Sequence, residues 1–166
     1  MKFLLYVLLA LVVVPLQTTL LHYVDILGIR PDLGLVAACL VGFLGGELDG
    51  LILGLLLGYS QDMLSAEDLW VNVVTKGGAG FLAGLAGRHM AHITPAVLTV
   101  GLAIISCLSS GVFLYSMGPA SLEEIWMGVR STVLLQAAFD AAIGAGLYMV
   151  FRRRWSDDRM VTEGAL

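Results

Sequence analysis

The sequence predicts an all-α polytopic membrane protein, a six-helix transmembrane bundle. Three observations carry this expectation. The 166 residues are 58% hydrophobic and only 13% charged, where an ordinary soluble domain shows about 25% charge. Apolar runs on the scale of the ~20 helical residues that cross a ~30 Å hydrocarbon layer recur along the chain. The runs are continuous and lack strand-type alternation. In lipid every backbone polar group must be satisfied internally, which restricts spanning structure to helices or a closed barrel. The net charge of −4 is modest, and no basic patch interleaved with aromatics points to nucleic acid.

Six spans fit, at roughly 3–21, 33–46, 50–65, 73–88, 95–117 and 125–151. The first opens "MKFLLYVLLALVVVPLQTTLLHYV". Its apolar run extends to Leu21 without a small-x-small cleavage site, so it reads as an uncleaved helix and not a signal peptide. Pro15 is placed to kink it. Spans two and three are short. One long helix over 33–64 would put Glu47 and Asp49 at the bilayer centre, at several kcal/mol each. As a turn, "GGELDG" is cheap. Residues 1–155 then form a single transmembrane domain, and 156–166 a short cytoplasmic tail. Cys39 and Cys107 both fall in apolar runs, where free, buried thiols are expected.

Orientation follows from Lys and Arg. With both termini cytoplasmic, the inner side carries six of them, Lys2, Arg88, Arg152, Arg153, Arg154 and Arg159, and the outer loops carry Arg30. Lys76 and Arg130 lie near the outer ends of spans four and six. Tyr23, Trp70, Tyr115 and Trp126 then fall at the outer interface, and Tyr6 and Trp155 at the inner one. The chain is thus expected to be a multi-pass membrane protein with both termini on the cytoplasmic side.

Glycine recurs at 42, 46, 50, 54 and 58. A spacing of four drifts about 40° per step, so five such residues cannot hold one face of a straight helix. Broken at "GGELDG", they divide into Gly42 and Gly46 on one helix and Gly50, Gly54 and Gly58 on the next. A second stripe runs Gly77, Gly80, Gly84, Gly87. Small residues let backbones approach closely where lipid removes the hydrophobic drive. Spans two, three and four are therefore expected to form a tightly packed hub, by intramolecular packing in preference to a dimer face.

Polar residues interrupt the apolar runs. Thr132, Gln136, Asp140 and Gly144 follow one another at steps of four and must face protein or water. Asp62, Lys76 and Arg130 fall near the outer helix ends, where they either pair or snorkel separately. A structural ion pair fixing helix register is the favoured reading, over an outward-open pocket. No catalytic set is convincing. His89 and His92 beside Arg88 are a weak metal signal without further ligands. Ser109-Ser110-Gly111 lacks a base at matching depth. There is no phosphate-binding glycine loop. No catalytic, cofactor or metal residue is expected.

"IRPDLGLV" opens span two, and "GLILGLLLGYSQDMLSAEDLWVNVVTKGGAGFLAG" covers spans three and four. With the hydropathy and the basic C-terminus, these segments resemble the MreD family, small membrane proteins of the bacterial rod-shape machinery. The resemblance rests on Arg30, Pro31 and Asp32 at the helix entry, then Gly54, Gly58 and Asp62 as a glycine-rich helix ending G-x-x-x-D. It implies a non-enzymatic scaffold of the bacterial inner (cytoplasmic) membrane that binds an MreC-like bitopic protein. It further implies a link from cytoplasmic MreB filaments to a RodA-type glycosyltransferase and its transpeptidase. It also implies a fold similar to the S subunits of energy-coupling-factor transporters. A substrate-binding S subunit is the rival reading. That class would want a small-x-x-x-small motif on span one, where Ala10 has only Tyr6 and Val14 four positions away.

Overall fold

The computed structural model describes residues 2–19, 31–64, 70–89, 94–116, 118 and 121–163. Those residues are almost entirely helical, with no strand among them. The elements are α1 (Lys2–Thr19), α2 (Leu33–Gly45), α3 (Glu47–Leu64), α4 (Val71–His89), α5 (Pro95–Ser116), α6 (Leu122–Gly128) and α7 (Leu134–Glu163). A π-helical turn, Val129–Val133, joins α6 to α7 without a break. Two helical stretches are long and apolar enough to cross a membrane, Pro95–Ser116 and Leu122–Val150, with Leu4–Gln17 and Leu33–Gly45 as shorter apolar helices.

Helix α2 is the central element and packs against α1, α3, α4, α5 and α7. Its mostly apolar, glycine-containing sequence suits a rod surrounded on all sides. Val36, Ala38 and Cys39 have no exposure at all. Two cores form on its flanks. One joins Leu35, Val36, Cys39 and Phe43 to Ala79, Ala83, Leu98, Leu102 and Ala141. The other joins Ala38 to Tyr6, Ala10, Val14, Leu53 and Leu57. The outer faces carry apolar side chains in quantity, among them Leu4, Leu8 and Leu11 on α1 and Val100, Ile104 and Leu108 on α5.

The break between α2 and α3 is a single residue. Gly46 caps α2 with φ +106, a left-handed conformation that favours glycine, and α3 starts at once with Glu47. This corrects two expectations. Gly46 is the turn and not a packing residue on α2, with nothing within 4 Å of an added Cβ. Glu47 and Asp49 lie in the first turn of α3, where acids complement the helix dipole. Glu47 Oε1 also accepts from Arg88 Nη1 at 2.7 Å, tying the start of α3 to the end of α4.

The remaining glycines form the expected seam. A Cβ on Gly54 would fall on the Lys76 carbonyl, on Gly58 on the Asn72 carbonyl, on Gly80 on the Gly50 carbonyl, and on Gly84 on the Glu47 backbone. Helices α3 and α4 thus meet backbone to backbone along their length, as small residues permit. Gly42 and Gly87 bring α2 into the same seam, since their Cβ atoms would meet the carbonyls of Gly80 and Phe43.

Two sequence expectations shift in detail. Tyr6, expected as an exposed ring at the inner interface, is buried, with a side-chain hydrogen bond to Asp49. Cys39 is buried, but Cys107 is only partly so, and both thiols are free. Arg30 and Tyr23 lie outside the described residues. Trp70, Tyr115 and Trp126 are well exposed.

Candidate functional site

The end of the bundle that holds the start of α2 and α4 contains a buried polar network. Asp32 is its centre. As N-cap of α2, its Oδ1 accepts from the Leu35 N–H at 3.0 Å, which satisfies one of the orphan donors of the first turn. Its Oδ2 lies 2.7 Å from Lys76 Nζ. Gln17 of α1 donates to Oδ1 at 3.2 Å. Lys76 is 2% exposed, and its ammonium also donates to Asn72 Oδ1 at 2.7 Å.

From Asp32 the network runs two ways. The Asp32 N–H donates to Asp140 Oδ1 at 2.8 Å. Ser106 Oγ donates to Asp140 Oδ2 at 2.6 Å. Asp140 and Ser106 have no exposure. In the other direction Asn72 Nδ2 donates to Asp62 Oδ1 at 2.8 Å. Asp62 then accepts from the backbone N–H groups of Trp70 at 3.0 Å and Val73 at 3.1 Å. Gln61 Nε2 and the Gly34 N–H both donate to Gln17 Oε1, at 2.7 and 3.1 Å. Side chains from α1, α2, α3, α4, α5 and α7 meet in one connected set. Among the described residues no buried side-chain nitrogen or oxygen lacks a partner, which is the condition for polar groups to be tolerated in an apolar interior.

A cavity of about 420 Å³ opens beside this network. Asp32, Lys76 and Asp140 line it with the neutral polar side chains of Gln17, Asn72, Thr75, Ser109, Ser110, Thr132 and Gln136. Its apolar wall is Leu35, Phe113, Leu114 and Val133. Thr132 and Val133 come from the π-helical turn. Such a turn inserts an extra residue into the helix and is frequent at functional sites.

The pairing expected of Asp62 is corrected. Lys76 takes Asp32 as its carboxylate, and Asp62 serves as a cap for α4 supplied from α3. The geometric reason is the tight α3–α4 seam, which sets Asp62 level with the first turn of α4 and one turn short of Lys76. Arg130 is exposed on the π-helical turn, away from both. The Thr132, Gln136, Asp140, Gly144 ridge does face protein: the first three line the cavity, and a Cβ on Gly144 would meet Leu102. Pro31 is buried at the helix entry.

Gln17, Gln61, Asn72 and Ser106 are site residues that sequence reasoning misses. Their one signal is that each is a hydrogen-bonding side chain within or at the edge of an apolar run, and such groups need a partner. No protein-family model, curated protein or solved structure matches the chain.

Proposed function

We propose that the chain is a six-span integral membrane protein with both termini cytoplasmic, and that it acts as a non-enzymatic scaffold of the MreD type in the bacterial elongation machinery. The short α2 and the longer α3 and α4 cross within the bundle, and the exposed apolar belt faces lipid. Its partners are an MreC-like bitopic protein and, through it, a RodA-type synthase and MreB filaments. One observation supports this reading above others. Among the described residues that carry the resemblance, four are spent on architecture. Asp32 caps α2 and holds Lys76, Asp62 caps α4, and Gly54 and Gly58 seat α3 on the α4 backbone.

The rival S-subunit reading draws support from the cavity, which lies in the ~300–1,000 Å³ range of small-molecule sites. Against it, Ala10 is buried with Tyr6 and Val14 in the core shared with α2 and α3, leaving no small-residue face on α1 for a transmembrane partner. Co-purification from a rod-shaped bacterium, followed by mass spectrometry of the bound proteins, tests the proposal. Recovery of an MreC-like protein together with cell rounding on depletion is expected. Recovery of a transporter's coupling subunit, with saturable uptake of a small molecule, would overturn it.

A further inference from the structure

Several helical hydroxyls of this chain turn back onto their own backbone. Ser60 Oγ donates to the Leu56 carbonyl at 2.8 Å, Thr75 Oγ1 to Val71 at 2.6 Å, Thr99 Oγ1 to Pro95 at 2.7 Å and Ser131 Oγ to Met127 at 2.6 Å. That is a common way to satisfy such a group within a helix. Ser109 and Ser110 on α5 and Thr132 on the π-helical turn depart from it. All three line the cavity of about 420 Å³, and among the described residues their hydroxyls have no hydrogen-bond partner. Gln136 lines the same cavity. Its Nε2 reaches Asp140 only at 3.4 and 3.5 Å, and its Oε1 accepts from no described residue.

The charged groups of the cavity are in the opposite condition. Asp32 is filled by Lys76 Nζ, the Leu35 N–H and Gln17 Nε2. Asp140 has no exposure, and it accepts from the Asp32 N–H and the Ser106 hydroxyl. Lys76 is buried and spends its ammonium on Asp32 and Asn72. An entering molecule therefore meets open hydroxyls and an amide oxygen, and no charge that lacks its own partner. The rest of the lining is apolar and includes the Phe113 ring.

We propose that this cavity binds a neutral polyhydroxylated ring, of the sugar or cyclitol type. A hydroxyl both donates and accepts, and so do Ser109, Ser110 and Thr132, whose hydrogens rotate to either role. The C–H face of such a ring is apolar and covers the wall of Leu35, Phe113, Leu114 and Val133. A charge on the ligand would lose its water without gaining a counter-charge. The proposal goes beyond the scaffold reading and does not depend on the partner assigned there. Two sources fit the same chemistry, a free sugar or the sugar headgroup of a glycolipid.

The test uses the full chain in phosphatidylcholine nanodiscs. Glucose, glucosamine in mildly acidic buffer, and glucuronate present one ring in neutral, cationic and anionic form. Binding is read as the rise of the unfolding midpoint over the same protein without ligand. Glucose should bind roughly tenfold tighter than either charged ring, the scale of one polar group desolvated without a partner. Ser110→Ala and Thr132→Val each remove one hydroxyl with little change of shape, and each should weaken glucose roughly fivefold, the scale of one neutral hydrogen bond. Ser110→Leu, which fills the cavity, should abolish the response. Monoglucosyl diacylglycerol in the nanodisc separates the two sources. An adduct in native mass spectrometry that Ser110→Leu removes assigns the site to the glycolipid headgroup, and glucose binding without an adduct assigns it to the free sugar. Equal binding of the charged rings would overturn the proposal, as would a response unchanged by all three variants. Silence toward glucose together with no glycolipid adduct would leave the cavity to water alone and overturn it too. Failure to co-purify an MreC-like protein while glucose still binds would refute the scaffold reading and not this site.

Discussion

Lys76 Nζ stands 2.7 Å from Asp32 Oδ2, with 3% of the lysine side chain exposed and 24% of the aspartate. The pair joins α4 to the N-cap of α2 inside one end of the bundle. Burying two charges is costly, and their attraction repays it only when geometry is good and the spare hydrogen-bonding capacity is filled. Both conditions hold, through Asn72 on the lysine and Leu35 and Gln17 on the aspartate.

Breaking this pair from one side should therefore cost more than removing it. Lys76→Met leaves Asp32 without its cation and is expected to destabilise by about 3 kcal/mol, the low end for a buried pair because Asp32 keeps other donors. Asp32→Asn retains a capping acceptor and strands the ammonium instead. The double variant should recover most of the loss. Thermal unfolding of the four proteins in one detergent forms the cycle, and strictly additive losses would mean that the pair carries no coupling.

The glycine seam makes a sharper demand. Alanine at Gly54 or Gly80 drives a methyl group into the Lys76 or Gly50 carbonyl, and such overpacking typically costs ~1–3 kcal/mol. Gly78 lies on α4 between Gly77 and Gly80, but an added Cβ there meets nothing within 4 Å. Gly78→Ala should thus be neutral, or stabilising by up to ~1 kcal/mol through helix propensity. Melting temperatures that fall equally for all three substitutions would show that close approach does not govern the seam.

Asp140 organises its surroundings through two short contacts, from the Asp32 N–H and the Ser106 hydroxyl. Asp140→Ala leaves both donors buried without an acceptor, at about 1–3 kcal/mol apiece before relaxation. Asp140→Asn keeps one oxygen and should lose roughly half as much. Ser106→Ala removes a donor and leaves a carboxylate that still accepts elsewhere, so its effect should be the smallest of the three. Thermal unfolding should therefore rank Ser106→Ala as the most stable variant, Asp140→Asn next and Asp140→Ala last. Any other order would mean that the network is held by something besides these bonds.

What the sequence makes legible follows from periodicity and cost. The α3–α4 seam can be read because glycine at Gly54, Gly58, Gly80 and Gly84 has few uses in an apolar helix besides close approach. The Gln136–Asp140 ridge can be read because a carboxyl in an apolar run must turn inward. The partner of Lys76 cannot. Asp32 and Asp62 are both acids at the same end of the bundle, and the choice between them depends on a one-turn offset set by packing. Nor can the π-helical turn at Val129–Val133, since no residue there is reserved to it. Gly46 misleads because a spacing of four continues through it, although its φ of +106 ends α2 there.

The topology can be tested without reference to the fold. In a background lacking Cys39 and Cys107, single cysteines at Ser121 and Ser156 should label oppositely with a membrane-impermeant reagent. Position 121 should react from outside and 156 only after permeabilisation, as the six-against-one distribution of Lys and Arg requires. The reverse pattern would invert the protein. Labelling of both from outside would remove the sixth span.

Asp62 is expected to act on the first turn of α4 and not on chemistry. Its oxygens accept from Trp70 N–H, Val73 N–H and the Asn72 side chain, with Asn72 N–H at a longer 3.3 Å. Trp70 holds φ at +94, a strained value for a residue with a side chain. The carboxylate is what makes that turn worth adopting, because it satisfies the backbone donors that a helix start leaves orphaned. Asp62→Ala removes all of these acceptors at once and should destabilise by about 2–4 kcal/mol, above an ordinary capping loss because the site is buried. Asp62→Asn keeps one acceptor oxygen and turns its amide toward donors it cannot satisfy, so it should fall between Ala and wild type. The effect should be local. Hydrogen exchange at Val73, Val74 and Thr75 should accelerate more than exchange in α2 or α5. Capture of the proposed MreC-like partner should fall only in step with that loosening. If Asp62→Ala leaves exchange in α4 at wild-type rates while partner capture is lost, the residue is a contact point and not a cap.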